Sequence, residues 1–254
     1  MKEITNIKDT ATYYYDMLRD NQPKIIEKLE AHLPFYRFTY QKKVKSREII
    51  YDTPKKLLAS AGLVLSKVFD GEKHYIILTK VSYLPKQFKK PSVVLFKAEC
   101  SPQDVPNMYP IKLAGVITDA TPGIFTVDLV EVIKIVVPRI EINVQGDKYE
   151  IASGTGYRAE MLFEEVFYRD LATKGKFSHK NAAFVLSALE KDKKSNNEIL
   201  GAVLRYCKEL FPYEETRFEI ARRVLAARQG EKKKFNKKDF KKNKKQETEE
   251  NKEE

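Results

Sequence analysis

The spacing of hydrophobic residues changes near residue 35. Before that point, Ile25, Leu29 and Leu33 recur at the three- and four-residue spacing that places them on one face of a helix. Pro23 suits the first turn of this helix, and residues 9–20 before it also have a helical pattern. Residues 1–34 are therefore predicted to form an N-terminal helical segment.

From Phe35 onward the spacing falls to two, which is typical of strands. In this first strand two sets of side chains point to opposite sides: Tyr36, Phe38 and Tyr40 on one, and Arg37, Thr39, Gln41 and Lys43 on the other. Further strands are predicted in "REIIYDT", "LVLSKVF", "HYIILTKVSYL", "SVVLFKAE", "FTVDLVEVIKIVVPRIEINVQ", "KYEIASGTG" and "YRAEMLFEEVFYRDL". The "DGEK" turn between two of them fits a hairpin.

Helical patterns interrupt and close this series of strands. A short helix is predicted around residues 109–117, and two more in "KNAAFVLSALEKD" and "NNEILGAVLRYCKELFP". The segment "ETRFEIARRVLAARQ" fits either a helix or a strand that runs into a helix. The predicted class is α+β, with residues 35–229 as one domain.

Residues 230–254 have the composition of a disordered tail. Lysine and asparagine dominate its first part and glutamate its end. Such a segment buries too little apolar surface to offset the entropy of ordering. A lysine-rich tail attracts nucleic acid without sequence preference, although its acidic end could instead mask the lysines.

The charge of the whole chain favours polyanionic partners. Its 254 residues carry a formal net charge of +11, so nucleic acid or phosphorylated molecules are the expected ligands. Two cysteines, Cys100 and Cys207, lie in no metal-binding or disulfide pattern. The first residues lack the apolar run of a signal peptide, no stretch is long enough for a membrane span, and a cytoplasmic location is expected.

The segment "REIIYDTPKKLLASAGLVLSK" is unusually well punctuated. Asp52 and Thr53, followed by proline, suit the cap of a short helix, and Gly62 suits its end. Asp52 and Thr53 are therefore expected to cap the helix instead of binding a ligand.

The same segment resembles the CYTH, or triphosphate tunnel metalloenzyme, superfamily. The similarity rests on the Tyr-Asp-Thr-Pro run at 51–54, on Leu58, Gly62 and Leu65, and on the later Leu-Thr-Lys at 78–80. Weaker similarity continues in "VVPRIEINV" and in "LFPYEETRFEIARRVL". It spans roughly residues 47–225.

The resemblance implies an antiparallel eight-stranded barrel, or tunnel, with flanking helices. Inward lysines and arginines would bind a triphosphate, polyphosphate or nucleotide, and carboxylates would hold Mg²⁺ or Mn²⁺ for a triphosphatase reaction. The corresponding candidates for phosphate binding are Lys43, Lys67, Lys80, Arg139, Arg158 and Arg217. Glu160 and Glu164 share a face of their strand and are the candidate metal ligands.

The sequence departs from the family at the catalytic acids. The nearest counterpart of the family's Glu-x-Glu-x-Lys strand is the set Thr39, Gln41 and Lys43. In this set the neutral residues Thr39 and Gln41 stand where the family has glutamates. Ser178 and His179 occupy a later position where the family has glutamates. Because Mg²⁺ needs anionic oxygen ligands, binding without hydrolysis is one expectation and metal-dependent hydrolysis another.

Two alternatives remain open at this point. Each candidate cation has a structural alternative, either exposed to solvent or paired with a nearby glutamate. The protein as a whole also has an alternative function, as a non-catalytic RNA- or ribosome-associated protein that uses its basic tail.

Overall fold

A single antiparallel sheet forms the centre of the computed structural model. The model describes residues 2–4, 10–17, 21–81, 93–187, 189–212 and 221. Within these ranges the strands are β1 Lys2–Glu3, β2 Thr10–Met17, β3 Tyr36–Asp52, β4 Leu63–Asp70, β5 Lys73–Lys80, β6 Val93–Cys100, β7 Val137–Ser153, β8 Arg158–Asp170, β9 Lys176–Ser187 and β10 Leu210–Pro212. The helices are α1 Gln22–His32, α2 Leu57–Ser60, α3 Pro110–Ala120, α4 Leu129–Lys134 and α5 Lys193–Tyr206.

The strand order confirms an α+β antiparallel fold but not an eight-stranded closed barrel. The described strands number ten, in the order β1-β6-β5-β4-β3-β7-β8-β9-β2-β10, and they do not close on themselves. The N-terminal residues nevertheless reach both sides, because β1 pairs with β6 while β2 pairs with β9 and β10. Seven residue steps separate Glu3 from Thr10, and they can span at most about 25 Å.

Two predicted helices are strands in the structure. Residues 10–17 form β2, in which the buried residues Ala11, Tyr15 and Met17 are four and two residues apart and so lie on one face of the strand. Residues 176–187 form β9, whose run Ala182, Ala183 and Phe184 is buried on both faces of the sheet. A strand covered on both sides loses its alternation and resembles a helix in sequence. Conversely, α4 lies inside a segment predicted as strand.

Other local predictions are confirmed. Helices α1 and α5 occupy segments with helical spacing, and α3 covers the short helix predicted near residues 109–117. Gly62, after α2, and Gly71, in the hairpin between β4 and β5, have φ of 72° and 60°. Both angles lie in the region that glycine tolerates best. The segment predicted as a helix or a strand that runs into a helix (215–229) and the predicted tail (230–254) fall outside the described residues, apart from Ala221.

The Asp-Thr-Pro motif builds the start of α2. The Asp52 carboxylate accepts hydrogen bonds from the backbone N–H groups of Thr53, Leu58 and Ala59 at 2.7, 3.0 and 3.1 Å. The Thr53 hydroxyl accepts another from the N–H of Leu57 at 3.0 Å. Burial raises the pKa of Asp52, although these N–H donors and the charge of Arg139 oppose the increase. Both residues therefore have the capping role that the sequence predicts.

The helices pack on one face of the sheet, called here the helical face. Phe38 packs under α1 and α5, and Ile49 packs near α2–α4. Their partners on β7 are Ile151 and Glu141, which are ten residues apart on one regular strand. Because ten is an even number, Phe38 and Ile49 lie on the same face of the sheet. The helices form two separate hydrophobic cores with the sheet. A third cluster, which includes Ile142 and Tyr168, lies on the opposite face.

Candidate phosphate-binding site

A register shift in β3 determines where Lys43 points. Tyr40 pairs with Tyr149 and Lys43 with Asp147, so one extra residue lies on β3 between these pairs. Such a bulge shifts the alternation of the side chains. Lys43 therefore shares the helical face with Tyr40 instead of sharing the opposite face with Thr39, and the predicted grouping of Thr39, Gln41 and Lys43 is corrected.

Between the two helix-covered cores, the helical face carries a polar strip over which none of the described helices lies. This bare strip consists of Lys43, Lys45 and Arg47 on β3, Asn143, Gln145 and Asp147 on β7, Glu165 and Phe167 on β8, Lys180 on β9 and Phe69 on β4. Two adjoining clefts of about 430 and 380 Å³ run along it, and both are lined by Lys45 and Gln145.

The two lysines of the strip differ from its arginine in their surroundings. Lys43 and Lys45 are exposed, and the side chain of neither makes a hydrogen bond or ion pair with another residue that the structure describes. Arg47 donates from Nε to the buried carboxylate of Glu141 at 2.6 Å, and Arg169 contacts the same carboxylate at 3.5 Å. Glu141 therefore fixes the orientation of the Arg47 guanidinium while leaving the lysines available.

Lys67 occupies a buried structural position. It is 2% exposed, and its ammonium donates to the backbone carbonyls of Ser101, Pro102 and Asp104 at 3.4, 2.5 and 2.5 Å. These three acceptors match the three protons of an ammonium group. The side chain thereby fixes the loop that connects β6 to α3.

The receiving loop is itself braced. The Asp104 carboxylate accepts hydrogen bonds from the N–H of Ser101 at 2.9 Å and from the Tyr109 hydroxyl at 2.8 Å. These bonds lower the pKa of Asp104. The carbonyls that bind Lys67 are therefore held in position by a second set of bonds.

Lys80 and Arg139 lie near helix ends and strand irregularities. The Lys80 ammonium donates to the carbonyl of Ala120, the last residue of α3, at 2.8 Å. Arg139 lies at a second register shift, where Ile50 pairs with Ile140 and Tyr51 with Pro138. A cation at a helix C-terminus is the arrangement that the helix dipole favours, so Lys80 has a structural role in this position.

The remaining described candidates lie on the opposite face. Arg158 pairs with Glu150, and Glu160 pairs with Lys148 at 2.6 Å. The predicted sharing of one face by Glu160 and Glu164 is confirmed, because the pairing of β8 with β7 is regular, and Arg158 lies on the same face. The structure therefore divides the candidate cations between two faces and does not bring them into one cavity. Arg217 lies outside the described residues.

The two candidate metal ligands do not fit a single ion in this arrangement. Four residues separate Glu160 from Glu164 on β8, which places their Cα atoms about 13 Å apart. Glu160 faces Lys148, and Glu164 accepts a hydrogen bond from Asn181 Nδ2 at 2.9 Å. Within the described ranges there is no group of three or more His, Cys, Asp or Glu residues that could hold a metal.

On β3, Lys45 and Arg47 are the strip residues that sequence reasoning missed. Lys43, Lys45 and Arg47 occupy alternate positions, but the sequence predicts two separate strands here, with Lys43 in the first and Arg47 in the second. The bulge near Tyr40 hides which face they occupy, and no pattern within β3 reveals that none of the described helices covers this part of the face. Phosphate binding by the six predicted cations stays a prediction.

The solved structures that are similar to this chain have low sequence identity to it. Similar solved structures include an adenylyl cyclase candidate of Hippeastrum described as having a dominant triphosphatase activity, with 15% identity over 85% of this chain and 96% of that chain and a TM-score of 0.49. An adenylate cyclase candidate of Bacillus halodurans has 9% identity over 86% and 98% of the two chains, with a TM-score of 0.45. Protein PH1819 of Pyrococcus horikoshii has 12% identity over 83% and 97%, with a TM-score of 0.45.

All three TM-scores lie below 0.5, so these neighbours assign neither a family nor a ligand to this chain. No family model and no curated protein matches it. Among the described helices none has the length and apolar character needed to cross a membrane.

Proposed function

We propose that this protein binds a phosphate-rich anion, such as triphosphate, polyphosphate or a nucleotide, at the bare strip. One observation supports the proposal above the others: Lys43, Lys45 and Arg47 lie side by side on the helical face, along two adjoining clefts. Alternate strand positions are about 7 Å apart. An extended anion that follows β3 would meet three cations in succession.

The charge balance of the strip sets what kind of anion it accepts. Asp147 and Glu165 lie on the same face as the cations, and the Glu165 carboxylate accepts a bond from Gln145 at 3.1 Å. A compact monoanion would gain little from such a mixed surface. A ligand with several phosphates gains from each unpaired lysine, because hydrogen bonds between ammonium and phosphate are charge-assisted.

Calorimetric titration with sodium triphosphate and with inorganic polyphosphate tests the proposal. The double variant Lys43→Ala/Lys45→Ala should bind roughly 10-fold more weakly than the wild type, since it loses two charge-assisted contacts. Lys42→Ala is the matched control, because Lys42 is also exposed and adjacent in sequence but points to the opposite face. Equal affinity of the double variant and the wild type would refute the site.

Hydrolysis is separate from binding and has its own test. Phosphate release from triphosphate with Mg²⁺ or Mn²⁺ is compared between the wild type and Glu160→Gln/Glu164→Gln. Release that survives the double variant would remove Glu160 and Glu164 from any catalytic role. Absence of release from the wild type would leave binding as the activity.

The alternative function, RNA binding through the basic tail, concerns residues outside the described ranges. Deletion of residues 231–254 should weaken RNA binding strongly and reduce its dependence on salt if the tail supplies the affinity. Unchanged affinity after deletion would place RNA binding elsewhere on the protein.

A further inference from the structure

The bare strip contains a row of four side chains that no phosphate contact requires. Phe167 pairs with Asn143, Asn143 with Arg47, and Arg47 with Phe69, so the four residues lie directly across four neighbouring strands. In order across the strands, the row contains an aromatic ring, an amide, a guanidinium and a second aromatic ring. All four line one of the two clefts, together with Lys45 and Gln145.

The two aromatic rings of the row remain accessible in different degrees. Phe167 is 38% exposed, which is unusual for a large apolar side chain on the helix-packed face of a sheet. Phe69 is half-buried, and its ring already has three neighbours: the guanidinium of Arg47 and the ammonium of Lys67 lie 5.1 and 5.0 Å from its centroid, and the His74 ring lies at 5.0 Å in a T-shaped arrangement. Neither ring is needed to bind an inorganic phosphate chain.

We propose that the bare strip binds single-stranded nucleic acid, with Phe69 and Phe167 stacking on bases while Lys43, Lys45 and Arg47 contact phosphates. This inference rests on the proposed anion-binding function and names its ligand class. Aromatic side chains on an exposed sheet face, interleaved with cations, form the kind of platform on which unpaired bases stack. Asn143 and Gln145 add amide groups that can bond to base edges.

The spacing of the rings favours a strand over a mononucleotide. Three strand spacings separate Phe69 from Phe167, which places the rings about 14 Å apart. One base cannot cover both rings, whereas two bases of an extended chain can. The intervening Arg47 then lies between the two stacked bases, with its orientation fixed by Glu141 at 2.6 Å.

Fluorescence anisotropy with the full chain and labelled U12 and dT12 measures the stacking contribution. Phe167→Leu and Phe69→Leu should each weaken U12 binding about 5- to 100-fold, the range expected for loss of one base stack. Phe167→Tyr should restore affinity, since it keeps the ring. Phe35→Leu is the matched control, because Phe35 is 82% exposed and precedes β3, far from the strip. If a phenylalanine variant loses affinity for both U12 and dT12, the protein recognises bases without regard to the sugar. If it loses affinity for U12 alone, the protein recognises RNA.

Salt dependence separates stacking from charge. Lys43→Ala/Lys45→Ala should lower the slope of log K against log salt by about 1.4, since each phosphate contact on a single strand contributes about 0.7. The phenylalanine variants should lower affinity with the slope unchanged. Inorganic polyphosphate has no bases, and its affinity should not respond to either phenylalanine variant.

The outcomes distinguish this inference from the function on which it rests. Wild-type affinity of both phenylalanine variants for U12 and dT12, together with weaker binding by the lysine variant, would overturn base stacking and leave anion binding intact. Equal losses on U12 and polyphosphate would also overturn it, because the damage would then not concern bases. A lysine variant that binds polyphosphate like the wild type would refute the anion site itself. Should Phe69→Leu fail to fold, the more exposed Phe167 decides the question alone.

Discussion

Lys67 and Lys45 lie on the same face of one sheet, yet their surroundings differ. Beneath the loop before α3, Lys67 is enclosed by three backbone carbonyls. On the bare strip, Lys45 is exposed beside an open cleft. The comparison shows that the face and the residue type do not determine what a lysine does in this fold. What differs is whether another segment of the chain covers the lysine.

The sharpest test of this difference is the removal of each charge. Lys67→Met should lower the free energy of unfolding by about 2 kcal/mol, because three partly buried carbonyls lose their ammonium donor. Lys43→Met, on the strip, should change it by less than about 0.5 kcal/mol. Urea unfolding at neutral pH measures both. Similar values for the two variants would mean that the covered and bare regions do not differ in this way.

Gly146 tests how tightly the sheet is built beneath the strip. A Cβ at this position would lie 2.0 Å from the backbone oxygen of Phe163 on β8. Gly146→Ala should therefore cost about 2–3 kcal/mol of stability, since the backbone itself must move. Gly154→Ala is the control, because a Cβ there meets nothing within 4 Å. Thermal or urea unfolding of the pair shows the difference, and equal stabilities would contradict the close approach of β7 to β8.

Asp52 tests the covered region through its helix cap. Asp52→Asn should lower stability by about 1–2 kcal/mol at pH 7, because the amide cannot accept from all three N–H groups. Burial raises the pKa of Asp52 above its ordinary value of 3.8, so the folded state favours the protonated acid. Its contribution to stability is therefore largest at low pH and is lost as the pH rises through the folded pKa.

The free energy of unfolding of the wild type should therefore exceed that of Asp52→Asn by more at pH 4 than at pH 7. Urea unfolding at both values measures the two differences. A gap that widens with rising pH would show that the N–H bonds outweigh burial.

The smallest expected effect in the covered region concerns Lys80. Lys80→Met removes the donor to the last carbonyl of α3 and should cost about 1 kcal/mol. Hydrogen exchange should increase at the C-terminal turn of α3 with little change in α5. Exchange that increases equally in both helices would indicate general destabilisation instead of a local cap.

Sequence reasoning succeeded where local spacing and chemistry determine the structure. The three- and four-residue period of α1, the glycine after α2 and the capping by Asp52 all follow from neighbouring residues. It failed for β9, since an apolar run buried on both faces has no alternation to identify it. The ten-strand order and the open edges also depend on contacts between distant segments, which one strand's pattern does not contain.

The candidate site was harder to predict than the fold. A single extra residue near Tyr40 moves Lys43 to the other face, and a bulge has no dependable sequence signal. The three carbonyls around Lys67 belong to a loop more than thirty residues away, so its structural role could not be seen in "LSKV". The strip itself is defined by where the described helices pack, which depends on contacts between distant segments.

The position of the first strands has a practical consequence for handling the protein. Because β1 covers β6 while β2 lies between β9 and β10, trimming the chain back to residue 18 would uncover backbone amides and carbonyls along two separate margins. Exposed margins of this kind recruit other molecules into mixed sheets. Truncated preparations should therefore precipitate or self-associate, and affinity tags are better fused at the carboxyl terminus.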